Sequence, residues 1–347
     1  MKVRYPIADD ALASSLERAY PIRIREIRFI PYGDSAYSYK LVCADGAAYY
    51  LKLYDHGNDA QRSGIGRLPR YLPLTRRLHD EGLLPNAACP VPNHRGELSS
   101  ACEGYTVVLY GFIEGETLAD AYPFPDGLLE EVADAMAGIH RLASVAAAEG
   151  VAAESFELDF EDRLASSLSA LERRDFAESP VRLALQALVA PESPRLRGLM
   201  RLVRELRRDA VADEREYVLC HGDLWGGNLI RGERGLYVLD WENALLAPPE
   251  FDWFGYIGDR FGRFIAAYER RRGCPAAIDA RLLRFYAYRH HLRNLTNWLL
   301  NILERNGDDA QSAHDLDLIA HHCLNRLDAI EPHAARVERE FGRTGRS

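Results

Sequence analysis

The stretch from Tyr217 to Glu242 constrains this chain more than any other. An apolar run, Tyr217-Val218-Leu219-Cys220, delivers His221-Gly222-Asp223, and Asn228 follows five residues after Asp223. A second apolar run, Leu236-Tyr237-Val238-Leu239, delivers Asp240-Trp241-Glu242. Runs of this length and composition read as short strands. Two acids and an amide are therefore expected at strand-to-loop junctions.

The surroundings give the fold class. Ala8–Tyr20 reads as a short helix opened by Asp9 and Asp10. Ile22–Ile30, Tyr37–Cys43 and Ala47–Tyr54 are rich in β-branched and aromatic residues and read as strands. Ala44-Asp45-Gly46 is a hairpin signal between the last two. In the third strand Tyr49, Leu51 and Leu53 share one face, and Tyr50, Lys52 and Tyr54 the other. A Gly/Pro-punctuated stretch leads to a helix near Leu72–Glu81, then to strands near Ala88–Val91 and Tyr105–Phe112. After Gly115 the apolar spacing becomes helical, as in Leu129, Val132, Met136 and Ile139. Helices are expected over Asp159–Arg174, from Ser193-Pro194 onward, along the Phe285–Ile302 stripe and near Ala313–Ala329. The expectation is an α+β chain of two lobes: an N-terminal antiparallel sheet lobe with one helix (1–112), and a larger, mainly helical lobe (113–347). The tail after Phe341 is expected to fray.

Composition sets looser bounds. The chain has 347 residues and a net charge of −9, so nucleic acid, which wants a basic face, is not expected as a partner. No long apolar window suggests a membrane span or a secretory signal. Six scattered Cys form no C-x-x-C, which fits a reducing cytoplasm. A monomer or homodimer is expected. Of 43 basic residues only Lys2, Lys40 and Lys52 are lysines, which draws attention to each.

Phosphoryl transfer from Mg-ATP needs a carboxylate to orient the acceptor hydroxyl, and an Asn and a second Asp to hold Mg²⁺. The spacing H-x-D-x-x-x-x-N followed by D-x-x matches that requirement, with Gly222 in place of the Arg of protein kinases. Lys52, on the third strand, fits the lysine that contacts phosphates. Gly33-Asp34-Ser35-Ala36-Tyr37, between strands one and two, fits a phosphate-covering loop. Only 12 residues separate Asp240 from Asp252, too few for the activation segment of a protein kinase.

With those motifs in view, the chain resembles the aminoglycoside phosphotransferase / choline kinase superfamily over roughly Ile24 to Leu327. "YVLCHGDLWGGNLI", "LYVLDWENALLAPPEFD" and "YAYRHHLRNL" are most similar to its spectinomycin phosphotransferase-type members. The resemblance implies a protein-kinase-like fold and a small-molecule hydroxyl acceptor, with ATP or GTP as co-substrate. It makes Asp223 the catalytic base. Asn228 and Asp240 become Mg²⁺ ligands, and Glu242 a second-metal or water-mediated ligand. His221 and Asp252 brace the catalytic loop. Gly33, Ser35 and Lys52 line the phosphates, and Tyr110 and Phe112 belong to a nucleotide-contacting hinge. An aminocyclitol or antibiotic hydroxyl is the favoured acceptor.

One departure stands out. Kinases pair the strand lysine with a Glu on the next helix, but none occurs between Lys52 and Leu78. Either Asp59 substitutes, or Glu81 reaches back, or Lys52 acts alone, or the chain is a nucleotide-binding pseudokinase. A metal-dependent hydrolase using His221, Asp223 and Asp240 would leave Lys52 unexplained. The adjacent pair His290-His291 points to different helix faces and is expected on the surface. Cys220, at the end of a buried strand, reads as core.

Overall fold

The computed structural model describes residues 3–31, 33 and 35–342. The chain divides into two compact units. The first comprises Met1–Ala153, Tyr217–Ala247 and Arg270–Arg272; the second comprises Glu154–Glu216, Pro248–Glu269 and Gly273–Ser347.

The first unit opens with α1 (Asp9–Ala19), β1 (Ile24–Ile30), β2 (Tyr37–Cys43) and β3 (Ala48–Asp55). After α2 (Asp59–Asp80) come β4 (Ser100–Cys102) and β5 (Tyr105–Gly111). The five strands form one antiparallel sheet in the order β1-β2-β3-β5-β4, with Ser38 opposite Lys52 and Lys52 opposite Val108. Strand alternation sorts the two faces as the sequence predicts. Leu12 and Leu16 of α1 pack with Tyr39, Leu41, Leu51, Leu53, Val107 and Leu109 in one core cluster. Each fully buried leucine there contributes about 1.5–3 kcal/mol. The opposite face carries Ser38, Tyr50, Lys52, Tyr54, Val108 and Tyr110.

Two elements differ from the sequence reading. Helix α2 starts at Asp59, well before Leu72, because the Asn58 side chain accepts from the Ala60 and Gln61 N–H groups and caps it. Pro69 and Pro73 lie inside it, on the exposed side. The expected strand near Ala88–Val91 is reduced to isolated bridges, Ala87 to Val238 and Pro90 to Tyr110. Pro90 and Pro92 have no N–H for a ladder, and β4 borders β5 instead.

The first unit continues with β6 (Gly115–Thr117), α3 (Asp126–His140) and α4 (Ala143–Ala148). Residues 217–247 add β7 (Val218–Cys220), β8 (Leu229–Gly232), β9 (Gly235–Val238) and β10 (Leu245–Ala247). Strand β7 pairs with β10, and β8 lies between β6 and β9. These short sheets position the loops at 221–228 and 240–244.

The second unit is helical: α5 (Glu161–Arg173), α6 (Pro180–Val189), α7 (Ser193–Ala212), α8 (Glu250–Trp253), α9 (Phe261–Arg272, apart from its last three residues), α10 (Ala280–Leu300), α11 (Asp309–Ile319) and α12 (Asn325–Phe341). A π turn at Ala320–Leu324 joins the last two where one helix was expected. Inside this unit Arg289 and Glu154 form a buried ion pair at 2.5 Å, and the guanidinium lies against Phe285 and Tyr286. The expected surface pair His290-His291 turns partly inward. The His290 ring packs 5.0 Å from Phe254, and burial pushes its pKa down to about 3. Phe341 closes α12; the tail beyond residue 342 lies outside the described residues. No helix among the described residues is long and apolar enough to cross a membrane.

Candidate active site

His221 organises the loop that β7 delivers. Its Nδ1 accepts from the Asp223 N–H at 3.3 Å, so the ring proton sits on Nε2, which donates to the Leu239 carbonyl at 2.7 Å. The imidazole is fully buried and meets the Trp241 ring edge-on at 4.9 Å. Thus His221 ties the Asp223 loop to the end of the strand that precedes Asp240. Asn228 closes the loop: its Nδ2 donates to the Asp223 carbonyl at 2.8 Å and to Asp223 Oδ2 at 2.9 Å. Gly222 has φ +82°, and a Cβ there would stand 2.4 Å from the Asn243 carbonyl oxygen, so no side chain fits.

Asp240 adopts a left-handed conformation (φ 57°, ψ 61°) on entering the turn Trp241–Asn243. A non-glycine residue there stores strain, which recurs at functional sites. Lys52 Nζ donates to Asp240 Oδ1 at 2.6 Å. Burial works against both charges, but each is outweighed by the other: the Asp240 carboxyl titrates below its ordinary range and the Lys52 ammonium well above. The pair stays charged at neutral pH. It also answers the question left by the missing helix Glu. Asp59 pairs with Arg62 and Glu81 with Arg77, so neither reaches Lys52. Its carboxylate comes from the Asp240 turn.

Three residues escaped the sequence reading. Arg67 of α2 donates from Nη2 to Glu242 Oε2 at 3.2 Å. Tyr54 and Tyr71 are buried with their hydroxyls, and burial raises the pKa of both. Signals for Tyr54 and Arg67 existed: Tyr54 follows Lys52 on the same strand face, and Arg67 and Tyr71 lie four apart on one helix face.

The other expected residues fall as follows. Gly33 has φ +81° and Ser35 is half-buried just before β2; Asp34 lies outside the described residues. Tyr110 is buried near the end of β5, its ring 6.5 Å from Tyr50. The Phe112 N–H donates to the Ala48 carbonyl at 3.1 Å, and its ring lies under Lys40 Nζ at 3.6 Å. Lys40 also pairs with Glu114 at 3.0 Å. Asp252 is buried in α8, within the second unit. Cys220 is fully buried, as expected of a core residue.

The donor chemistry suits a hard divalent cation. Asn228 spends its NH₂ on Asp223, which leaves its amide oxygen as the group to offer, and Asp240 and Glu242 add carboxylate oxygens. The Lys52 ammonium suits an anionic ligand.

Residues 26–298 match the model of the phosphotransferase enzyme family, APH. The chain is 25% identical over 288 residues to protein StrN of Streptomyces griseus, covering 78% of each. The crystal structure of spectinomycin phosphotransferase APH(9)-Ia with ADP and spectinomycin superposes with a TM-score of 0.77 at 19% identity, covering 96% of this chain and 100% of that one. Choline kinase LicA from Streptococcus pneumoniae gives 0.57 at 15% identity, covering 94% and 96%. The sheet-bearing N-terminal region and helical C-terminal region are thus the fold of these kinases, and the chain belongs to the phosphotransferase enzyme family.

Proposed function

We propose that this phosphotransferase moves the γ-phosphate of Mg-ATP, or GTP, to a hydroxyl of an aminoglycoside- or aminocyclitol-like small molecule. The observation that carries the reading is the pair of linked contacts Asn228–Asp223 and Lys52–Asp240 within one compact unit. The nucleotide and the acceptor class draw support from the spectinomycin phosphotransferase complex with ADP and spectinomycin, at the level of shared fold.

Each residue then has a task. Asp223, with one carboxylate oxygen held by Asn228, orients the acceptor hydroxyl and takes its proton. Asn228, Asp240 and Glu242 offer oxygens to Mg²⁺, which supplies charge neutralisation at the β- and γ-phosphates. Lys52 presents its ammonium to phosphate oxygens as a point charge. Gly33 and Ser35 cover the phosphates, and Tyr110 and Phe112 flank the base. His221 holds the loop. Positioning and electrostatics account for the rate. The missing helix Glu motivates a pseudokinase reading; the ion pair of Lys52 with Asp240 favours transfer.

Asp223→Ala should lower transfer by about 10²–10⁴-fold and leave nucleotide affinity within a few-fold of the parent. A panel of acceptors with radiolabelled ATP and GTP, read by product mass, measures both the loss and the acceptor. Near-parental turnover in Asp223→Ala would sink the role assigned to Asp223.

A further inference from the structure

Helix α2 carries acids only at its ends, Asp59 and Asp80; every charge in between is an Arg or His. Yet the helix still meets the Asp240-Trp241-Glu242 turn through a charged contact. Arg67 Nη2 holds Glu242 Oε2 at 3.2 Å, and the Glu242 side chain is only 13% exposed. Two cations therefore grip this turn, Lys52 from β3 on Asp240 and Arg67 from α2 on Glu242. In a protein kinase the helix supplies the anion and the strand the cation. Here strand and helix both supply cations, and the turn supplies both anions.

Asp240 and Glu242 are like charges two residues apart, and taking a carboxylate out of water costs free energy unless a partner compensates it. Arg67 meets both demands. It compensates the charge and fixes the direction of the carboxylate.

We infer that Arg67 is a positioning residue that presets Glu242 for the divalent cation, so that α2 is coupled to the metal-binding turn by an ion pair of reversed polarity. The inference rests on the proposed function and names a part of that site. Residues that orient a metal ligand from behind typically control metal affinity or activity by 10–100-fold.

The test measures Mn²⁺ binding to the ADP complex by EPR, with the full chain. Arg67→Met should weaken Mn²⁺ about tenfold, Arg67→Lys should restore most of it, and ADP affinity without metal should change less than threefold. Glu242→Gln should mimic the loss, and the double variant should be no worse than Glu242→Gln alone, because the two changes remove one interaction. Thermal unfolding of each variant identifies any that fail to fold, and Arg67→Lys then decides. Parental Mn²⁺ affinity in Arg67→Met, or additive losses in the double variant, would overturn the inference while leaving the proposed function in place. A parent protein that binds no Mn²⁺ with ADP would overturn both.

Discussion

One β-carbon separates the Asp223 loop from the version that protein kinases carry. Their arginine cannot occupy position 222 here, because the Asn243 carbonyl lies 2.4 Å from where its Cβ would be. Left-handed backbone adds about 1–2 kcal/mol for any L side chain. Gly222→Ala should therefore cost at least about 2 kcal/mol in urea unfolding and should lower turnover, since His221 and Asp223 flank the displaced residue. A variant as stable as the parent would show that the loop yields where the structure says it cannot. Much of this site was legible as spacing: Asp223, Asn228 and Asp240 stand at strand ends as their flanking apolar runs require, and Lys52 faces away from the core by simple alternation. Its partner was not legible. Asp240 lies 188 residues away in sequence, and no local rule predicts an ion pair across that separation.

At the scale of elements the instructive case is α2. The sequence reading stopped at its glycines and prolines, and so placed Asp59 in a loop and overlooked Arg67 altogether. Helix propensity was overridden by the Asn58 cap and by an apolar face of Leu68, Tyr71, Leu72, Leu74 and Leu78, all buried. The prolines nevertheless have a cost. Pro73 is exposed, donates no hydrogen bond and crowds the carbonyl four residues back. Pro73→Ala should stabilise the chain by about 1–2 kcal/mol, less than the full helix penalty of ~3 because proline also restricts the unfolded chain. Urea midpoints measure this; a loss of stability would mean that α2 needs its bend. The strand near Ala88–Val91 failed for the complementary reason: its apolar residues were right and its prolines broke the ladder. The β1–β3 hairpins succeeded because alternation and a turn signal agreed.

For the molecule as a whole, buried Glu250 and partly buried His290 pull the pH dependence of stability in opposite directions. The Glu250 side chain, 4% exposed, accepts from the Asp279 N–H at 3.0 Å, and burial pushes its pKa up to about 7. The folded protein therefore holds this proton more tightly than the unfolded chain does. Its contribution to stability is full below the unfolded pKa, falls between about pH 4.5 and 7, and is flat above; the loss is ~3 kcal/mol. Glu250→Gln should remove this fall, so that the unfolding free energy rises more from pH 5 to pH 7.5 in the variant than in the parent, because the partly buried His290, with its pKa near 3, contributes stability that grows as pH rises toward the ordinary imidazole value. An unchanged slope would assign it to other groups.

The first unit is assembled from three separate stretches of chain, and that sets the order of events during synthesis. Strand β6 ends at Thr117, but its partner Ile230 follows only after roughly a hundred further residues, including α5, α6 and α7 of the second unit. At ~5–20 residues per second, the ribosome leaves β6 without its neighbour for several seconds. The N-terminal five-stranded sheet can form early; the loop at 221–228 cannot be seated until the helical segment 154–216 has already been made.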